Sequence, residues 1–167
     1  MKNTQIFLTF IISVLLSFSA IGKTYYLEGD SRLGSRFKTR IASGPVPFDK
    51  RYQDMSVKQQ AIIRSNYENM PVDETPPFPR HGLQSIYRPL IKYQNLAQRL
   101  RRGDLIAIAL IDEKGMAKEV EVYAAPDKEI AQFLATLLLE IAYDPGICSG
   151  KPCQTEYLID VGLDIKF

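Results

Sequence analysis

Between Gly82 and Phe167 the apolar positions switch repeatedly between helical and strand spacing, and each switch marks an element. Ile86, Leu90, Tyr93, Leu96, Ala97 and Leu100 share one helical face, predicting a helix from about Ser85 to Arg102. Pro89 is tolerable there only in the first turn, and Gly103 can end the helix. Arg99, Arg101 and Arg102 suit the negative end of its dipole, which accounts for them without a ligand. Leu105 to Ile111 is apolar on both faces, as a strand in the middle of a sheet would be. Lys118 to Ala124 sets Val120 and Val122 against Glu119, Glu121 and Tyr123, and the Asp112-Glu-Lys-Gly between the two strands reads as a hairpin turn. A second helix begins at Pro126 and Asp127 and carries Ile130, Phe133, Leu134, Leu137, Leu138 and Ile141 on its apolar face. The chain ends in strict alternation, with Thr155, Tyr157, Ile159, Val161, Leu163, Ile165 and Phe167 opposed to Gln154, Glu156, Asp160, Asp164 and Lys166.

The order helix, strand, strand, helix, strand predicts an α+β fold. The doubly apolar strand belongs in the centre, giving a two-layer, three-stranded antiparallel sheet of order 2-1-3, with a right-handed crossover and the helices on one face. The strand from Thr155 then lies at an edge. Its outer row of backbone groups stays open to a peptide strand unless Thr24 to Glu28 or a second copy covers it.

Upstream, Lys23 to Pro79 is less patterned. Thr24 to Glu28 fits a short strand, and Ser56 can cap a helix running to Tyr67 with Val57, Ala61, Ile62 and Ile63 as its apolar stripe. Pro71 stops that helix, and the prolines at 76, 77 and 79 force an extended entry to the helix near Ser85. Arg32, Arg36, Lys38 and Arg40 lie among Gly and Ser in Ser31 to Arg40, a solvated linker whose other reading is a weak contact with anionic lipid or cell-wall polymer. Residues 1–22 have a secretory layout: Lys2, an apolar run from Ile6 to Phe18, and small residues at Ala20 and Gly22 that place the mature start at Lys23. An uncleaved anchor is the alternative. In an exported chain, Cys148 and Cys153 around Ser-Gly-Lys-Pro are expected to form a structural disulfide.

Composition narrows the function classes. Lys+Arg 21 against Asp+Glu 19, a net charge of +2, gives none of the basic bias of a nucleic-acid binder. One His and two Cys leave little for a metal centre, and no phosphate loop or nucleophile–base set is present, so no cofactor, metal or catalytic residue is assigned. Glu119 and Glu121 would share a strand face, but they read as solvent-facing charges, as do Asp160 and Asp164, and His81 beside Arg80 reads as an exposed loop residue.

From about Phe78 to Phe167 the chain resembles the C-terminal domain of TonB and its periplasmic relatives in Gram-negative bacteria. The likeness rests on the helix after a Pro-rich entry, the Leu105–Ile111 strand, the hairpin Asp112-Glu-Lys-Gly-Met-Ala-Lys-Glu-Val120, the Ile130–Ile141 helix, Tyr143-Asp-Pro145, and Gly150-Lys-Pro152 before the last strand. On this resemblance the chain divides into 1–22 signal peptide, 23–79 N-terminal extension and 80–167 TonB C-terminal-like domain. The resemblance implies an exported periplasmic protein-binding module that pairs an extended peptide of an outer-membrane receptor with Glu156, Leu158, Asp160 and Gly162. Leu158 is the one apolar residue on that face, and Gly162 would allow close approach. A minimal membrane-anchored energy transducer for outer-membrane transport is the alternative role, and a homodimer through edge strands is the competing use of the same edge.

Overall fold

The computed structural model describes residues 24–27, 46–96 and 103–163. The signal segment, the basic stretch 31–40, the Arg99–Arg102 helix end and residues 164–167 lie outside them.

In chain order the elements are β1 (Thr24–Leu27), a short 3-10 turn (Tyr52–Asp54), α1 (Val57–Arg64), β2 (Phe78–Pro79), α2 (Gln84–Leu96), β3 (Gly103–Ile111), β4 (Ala117–Ala124), α3 (Lys128–Glu140), β5 (Tyr143–Asp144), β6 (Gly146–Cys148), β7 (Lys151–Cys153) and β8 (Thr155–Leu163). The molecule is mixed α+β. Its main sheet runs β1-β4-β3-β8, with β3 antiparallel to both β4 and β8. The odd positions of β3, Leu105, Ala107, Ala109 and Ile111, are sealed from solvent, because Val120 and Val122 on β4 and Tyr157 and Ile159 on β8 continue the same apolar face.

The three expected antiparallel strands are present as β4, β3 and β8. The sheet gains a fourth, because β1 adds in parallel to the outer edge of β4, with Thr24 opposite Glu119 and Leu27 opposite Val122. A bare strand edge offers a row of donors and acceptors to any extended segment of suitable length, and Thr24–Leu27 satisfies that of β4, not that of β8.

The helices show smaller departures. α1 carries a full capping box: Gln59 N–H donates to Ser56 Oγ at 3.4 Å, and Ser56 N–H to Gln59 Oε1 at 3.0 Å. It ends at Arg64, short of Tyr67, and of its expected stripe only Ile63 is buried, whereas Val57 is 83% exposed. Arg64 turns back to donate to the carbonyls of Glu74, Met70 and Pro71, which fastens the loop after the helix. In α2 Pro89 falls in the second turn, not the first, because turn bonds from Ile86 and Tyr87 to the Leu83 carbonyl start the coil early. Asp127 caps α3 by accepting from Ile130 N–H at 2.9 Å. The buried stripe of α3 is Ile130, Ala131, Leu134, Ala135, Leu138 and Leu139, with Phe133, Leu137 and Ile141 on its flanks. Phe133 stacks on Tyr93 of α2 at 4.2 Å.

Residues 46–79 join the same core through Tyr52, Met55, Ile63 and Phe78. β2 pairs with β5, and Thr75 bridges to Ile147. The hairpin turn closes on Asp112, which accepts from Met116 N–H at 2.8 Å and Lys114 N–H at 3.0 Å and is paired with Lys118 Nζ at 3.0 Å. Burial alone would raise its carboxyl, but the bonds from Met116, Lys118 and Lys114 outweigh this and hold it below the usual carboxylate value. Gly115, at φ 77°, lets Tyr143 lie against the turn, where a Cβ would strike the Tyr143 carbonyl.

Candidate functional site

Among the described residues β8 pairs with β3 alone, so its outer side is a sheet edge. One bond identifies the residues that serve that edge. Tyr67 Oη donates to the Glu156 carbonyl at 2.9 Å. Because Asp112 N–H donates to the Met116 carbonyl across the β3–β4 hairpin, the alternate residues Ile111, Ala109 and Ala107 face β8, which leaves the Glu156 carbonyl on the side away from β3. In an extended strand the N–H and C=O of one residue point the same way and alternate along the chain, and the β3–β8 register runs without a bulge from Thr155 to Leu163. Leu158, Asp160 and Gly162 therefore present their backbone groups outward, whereas Tyr157, Ile159 and Val161 bond inward to β3. The four residues singled out from the sequence lie along this edge in two states. The Glu156 carbonyl is occupied by Tyr67, and Leu158, Asp160 and Gly162 continue the row beyond it. A side chain at Gly162 would meet only Asp104 Oδ1, at 3.9 Å, so packing within the chain does not require glycine there.

A groove of about 250 Å³ runs beside this edge. Ile62 and Tyr67 wall it on the α1 side and Leu83 and Tyr87 on the α2 side, while Phe78, edge-on to Tyr157 at 6.2 Å, lies beneath. Val46 and Phe48 also line it, and Phe48, 51% exposed, rests on Tyr87 at 4.9 Å. Distant parts of the chain hold these walls in place. Arg51 grips Asp144 with two bonds, Nη2 to Oδ1 at 2.6 Å and Nε to Oδ2 at 2.8 Å, and Arg80 Nε adds a weaker contact to Oδ1 at 3.4 Å. Its bonds to Asp144, and the charge of that carboxylate, raise the Arg51 guanidinium further above its already high value. Gln84 N–H donates to the Phe48 carbonyl at 2.8 Å, and Gly82, at φ 73°, has no room for a Cβ because the Phe48–Lys50 backbone passes over it.

The groove's own lining is mostly apolar and aromatic, with Asn66 and Asp160 as its polar members. Burial pushes the Tyr87 hydroxyl up and nearby Asp160 adds to the shift, while burial likewise keeps Tyr157 and Tyr143 protonated. Burial also raises the Asp160 carboxyl, and the like charge of Asp104 raises it further. Among the described residues no group of three or more His, Cys, Asp or Glu could hold a metal ion. His81 is exposed, and Tyr123 donates its hydroxyl to Glu121. A second cavity of about 740 Å³ lies where β4 meets the start of α3, lined by Val122, Tyr123, Pro126 and Lys128, and Asp127 at its rim is engaged as the helix cap.

Cys148 and Cys153 are joined across the β6–β7 hairpin, their Cα atoms 5.7 Å apart, with Ser149 and Gly150 both at positive φ in the two-residue turn. Comparison with protein-family models, with curated proteins and with solved structures finds no match.

Alternation along the last strand singled out Glu156, Leu158, Asp160 and Gly162. It carried no information on Phe48, Tyr67 or Tyr87: Phe48 lies in an unpatterned segment, Tyr67 at the expected end of the first helix, and Tyr87 off the apolar face expected of the helix from Ser85. Ile62 was placed only on the apolar stripe of the first helix. The only local sign of that wall was aromatic content in a Pro-rich region.

Proposed function

We propose that this chain is an exported, non-catalytic peptide-binding module of the TonB C-terminal kind, in which a ligand segment adds to β8 as a further strand of a two-layer domain. The observation that carries the reading is the outward row at Leu158, Asp160 and Gly162 beside an apolar groove. The row from 158 to 162 spans about 14 Å at ~3.4 Å per residue, enough for a ligand of roughly five residues. The groove is smaller than the roughly 300–1,000 Å³ of small-molecule sites and suits one inserted side chain better than a substrate. The partner on this reading is an extended segment of a cell-envelope protein, an outer-membrane receptor foremost, met in the periplasm.

The deciding experiment is calorimetric titration of the chain with peptides from the periplasmic segments of outer-membrane receptors, against Leu158→Pro and Asp160→Pro. Each proline removes one outward N–H, so both variants should lose binding while keeping their circular dichroism. Binding that survives both prolines refutes edge pairing.

A further inference from the structure

The two faces of β8 differ in a way that dictates what a paired strand would carry. A ligand residue opposite Ile159 shares the core-side face, where Phe78 and Tyr157 make edge-on contact and Ile62, Leu83 and Tyr87 form apolar walls. Its immediate neighbour, opposite Asp160, emerges on the other face. There Asp104 stands opposite Gly162, diagonal to Asp160. Among the described residues neither Asp104 nor Asp160 has a hydrogen bond or ion pair, and the only charge acting on Asp160 is the like charge of Asp104.

We infer that the edge groove selects an extended segment in which a cationic residue directly adjoins a bulky apolar one, the apolar side chain entering the groove beside Ile159 and the cation lying against Asp160, with Asp104 one strand further in. The inference rests on the edge-pairing reading above and adds the chemistry of its ligand. A cation there relieves a repulsion that the described residues leave uncompensated, and an anion deepens it. The same charges argue against a second copy as the occupant. Antiparallel self-pairing centred on Asp160 would set it against its own twin, and centring on Leu158 would set it against Glu156. Centring on Ile159, which puts Asp160 opposite Leu158, needs for its Glu156–Gly162 pair the carbonyl that Tyr67 already occupies. Like charges directly opposite destabilise a strand pair.

The test uses the full chain and three synthetic peptides of about seven residues with a central Lys-Leu, Glu-Leu or Lys-Ser pair, titrated at low and at high salt. The Lys-Leu peptide should bind at least about fivefold more tightly than Glu-Leu, and the gap should shrink as salt rises. The Lys-Ser peptide should be weaker than Lys-Leu for want of a side chain in the groove. Asp160→Asn combined with Asp104→Asn should erase the charge preference, and Asp160→Lys should turn it towards Glu-Leu. Neither position is buried, so the fold has no reason to fail in these variants. Equal affinity for Lys-Leu and Glu-Leu in the unaltered chain overturns the inference while leaving edge pairing standing. No binding by any of the three overturns both, as does a concentration-dependent dimer that Leu158→Pro disperses.

Discussion

A pair of neighbouring prolines in β8 separates the ladder side of the strand from its open side. Ile159→Pro strikes the ladder. Its N–H points towards β3, opposite Ala107, so proline removes a ladder bond and leaves a buried acceptor unsatisfied, at about 1–3 kcal/mol. Ile159 is also only 3% exposed, and losing its side chain from the core costs a further ~1.5–3 kcal/mol. The total, about 2.5–6 kcal/mol, is a large fraction of the roughly 5–15 kcal/mol that holds a domain folded. Leu158→Pro removes an N–H that makes no bond to β3 and a side chain that is only half-buried, and should cost about 1 kcal/mol. Guanidinium unfolding followed by circular dichroism measures both. Ile159→Pro should unfold far earlier or not fold at all, and Leu158→Pro should shift the midpoint slightly at constant m-value. If Leu158→Pro proves as damaging as Ile159→Pro, the outward assignment drawn from the Tyr67–Glu156 bond is wrong.

Single contacts elsewhere set further expected outcomes. Replacing Cys148 and Cys153 together with Ser should lower stability by about 1–3 kcal/mol, read by thermal melts, and leave peptide affinity nearly unchanged, because the bridge closes the β6–β7 hairpin away from the groove. Gly115→Ala should cost more than ~2 kcal/mol, since it joins a positive φ to a clash with the Tyr143 carbonyl, whereas Gly150→Ala, at the same φ in open space, should cost about 1 kcal/mol; equal costs would mean the Tyr143 contact is immaterial. Asp112 is held below the ordinary carboxylate value, so its contribution to stability is full above about pH 4 and is lost as pH falls through the lower folded value. Acid titration of Asp112→Asn should therefore show reduced stability near neutrality and a shallower loss below about pH 4 than the parent, and parallel curves would contradict it.

The elements legible in the sequence were those whose burial is set by local period. The alternation from Thr155, the run from Leu105 and the α3 stripe each need only one apolar face against a core, and that requirement is written into residue spacing. The turn at Asp112 was legible for a related reason, since a carboxylate with Gly three residues further on satisfies its own turn through local bonds. The same locality made the strand edge visible, down to Leu158 and Asp160. What tertiary structure alone decided were pairings that span the chain. Arg51 meets Asp144 at a separation of 93 residues, and Tyr67 meets Glu156 at 89, and no period relates either pair. Val57 shows the converse: it is apolar and at helical spacing, yet α1 is held by Ile63 and its cap, which turns Val57 to solvent. Likewise β1 went to the β4 edge although the sequence left the β8 edge equally available. A short extended segment can satisfy any bare edge, so its place is set by where the rest of the chain delivers it, and only the folded molecule carries that information.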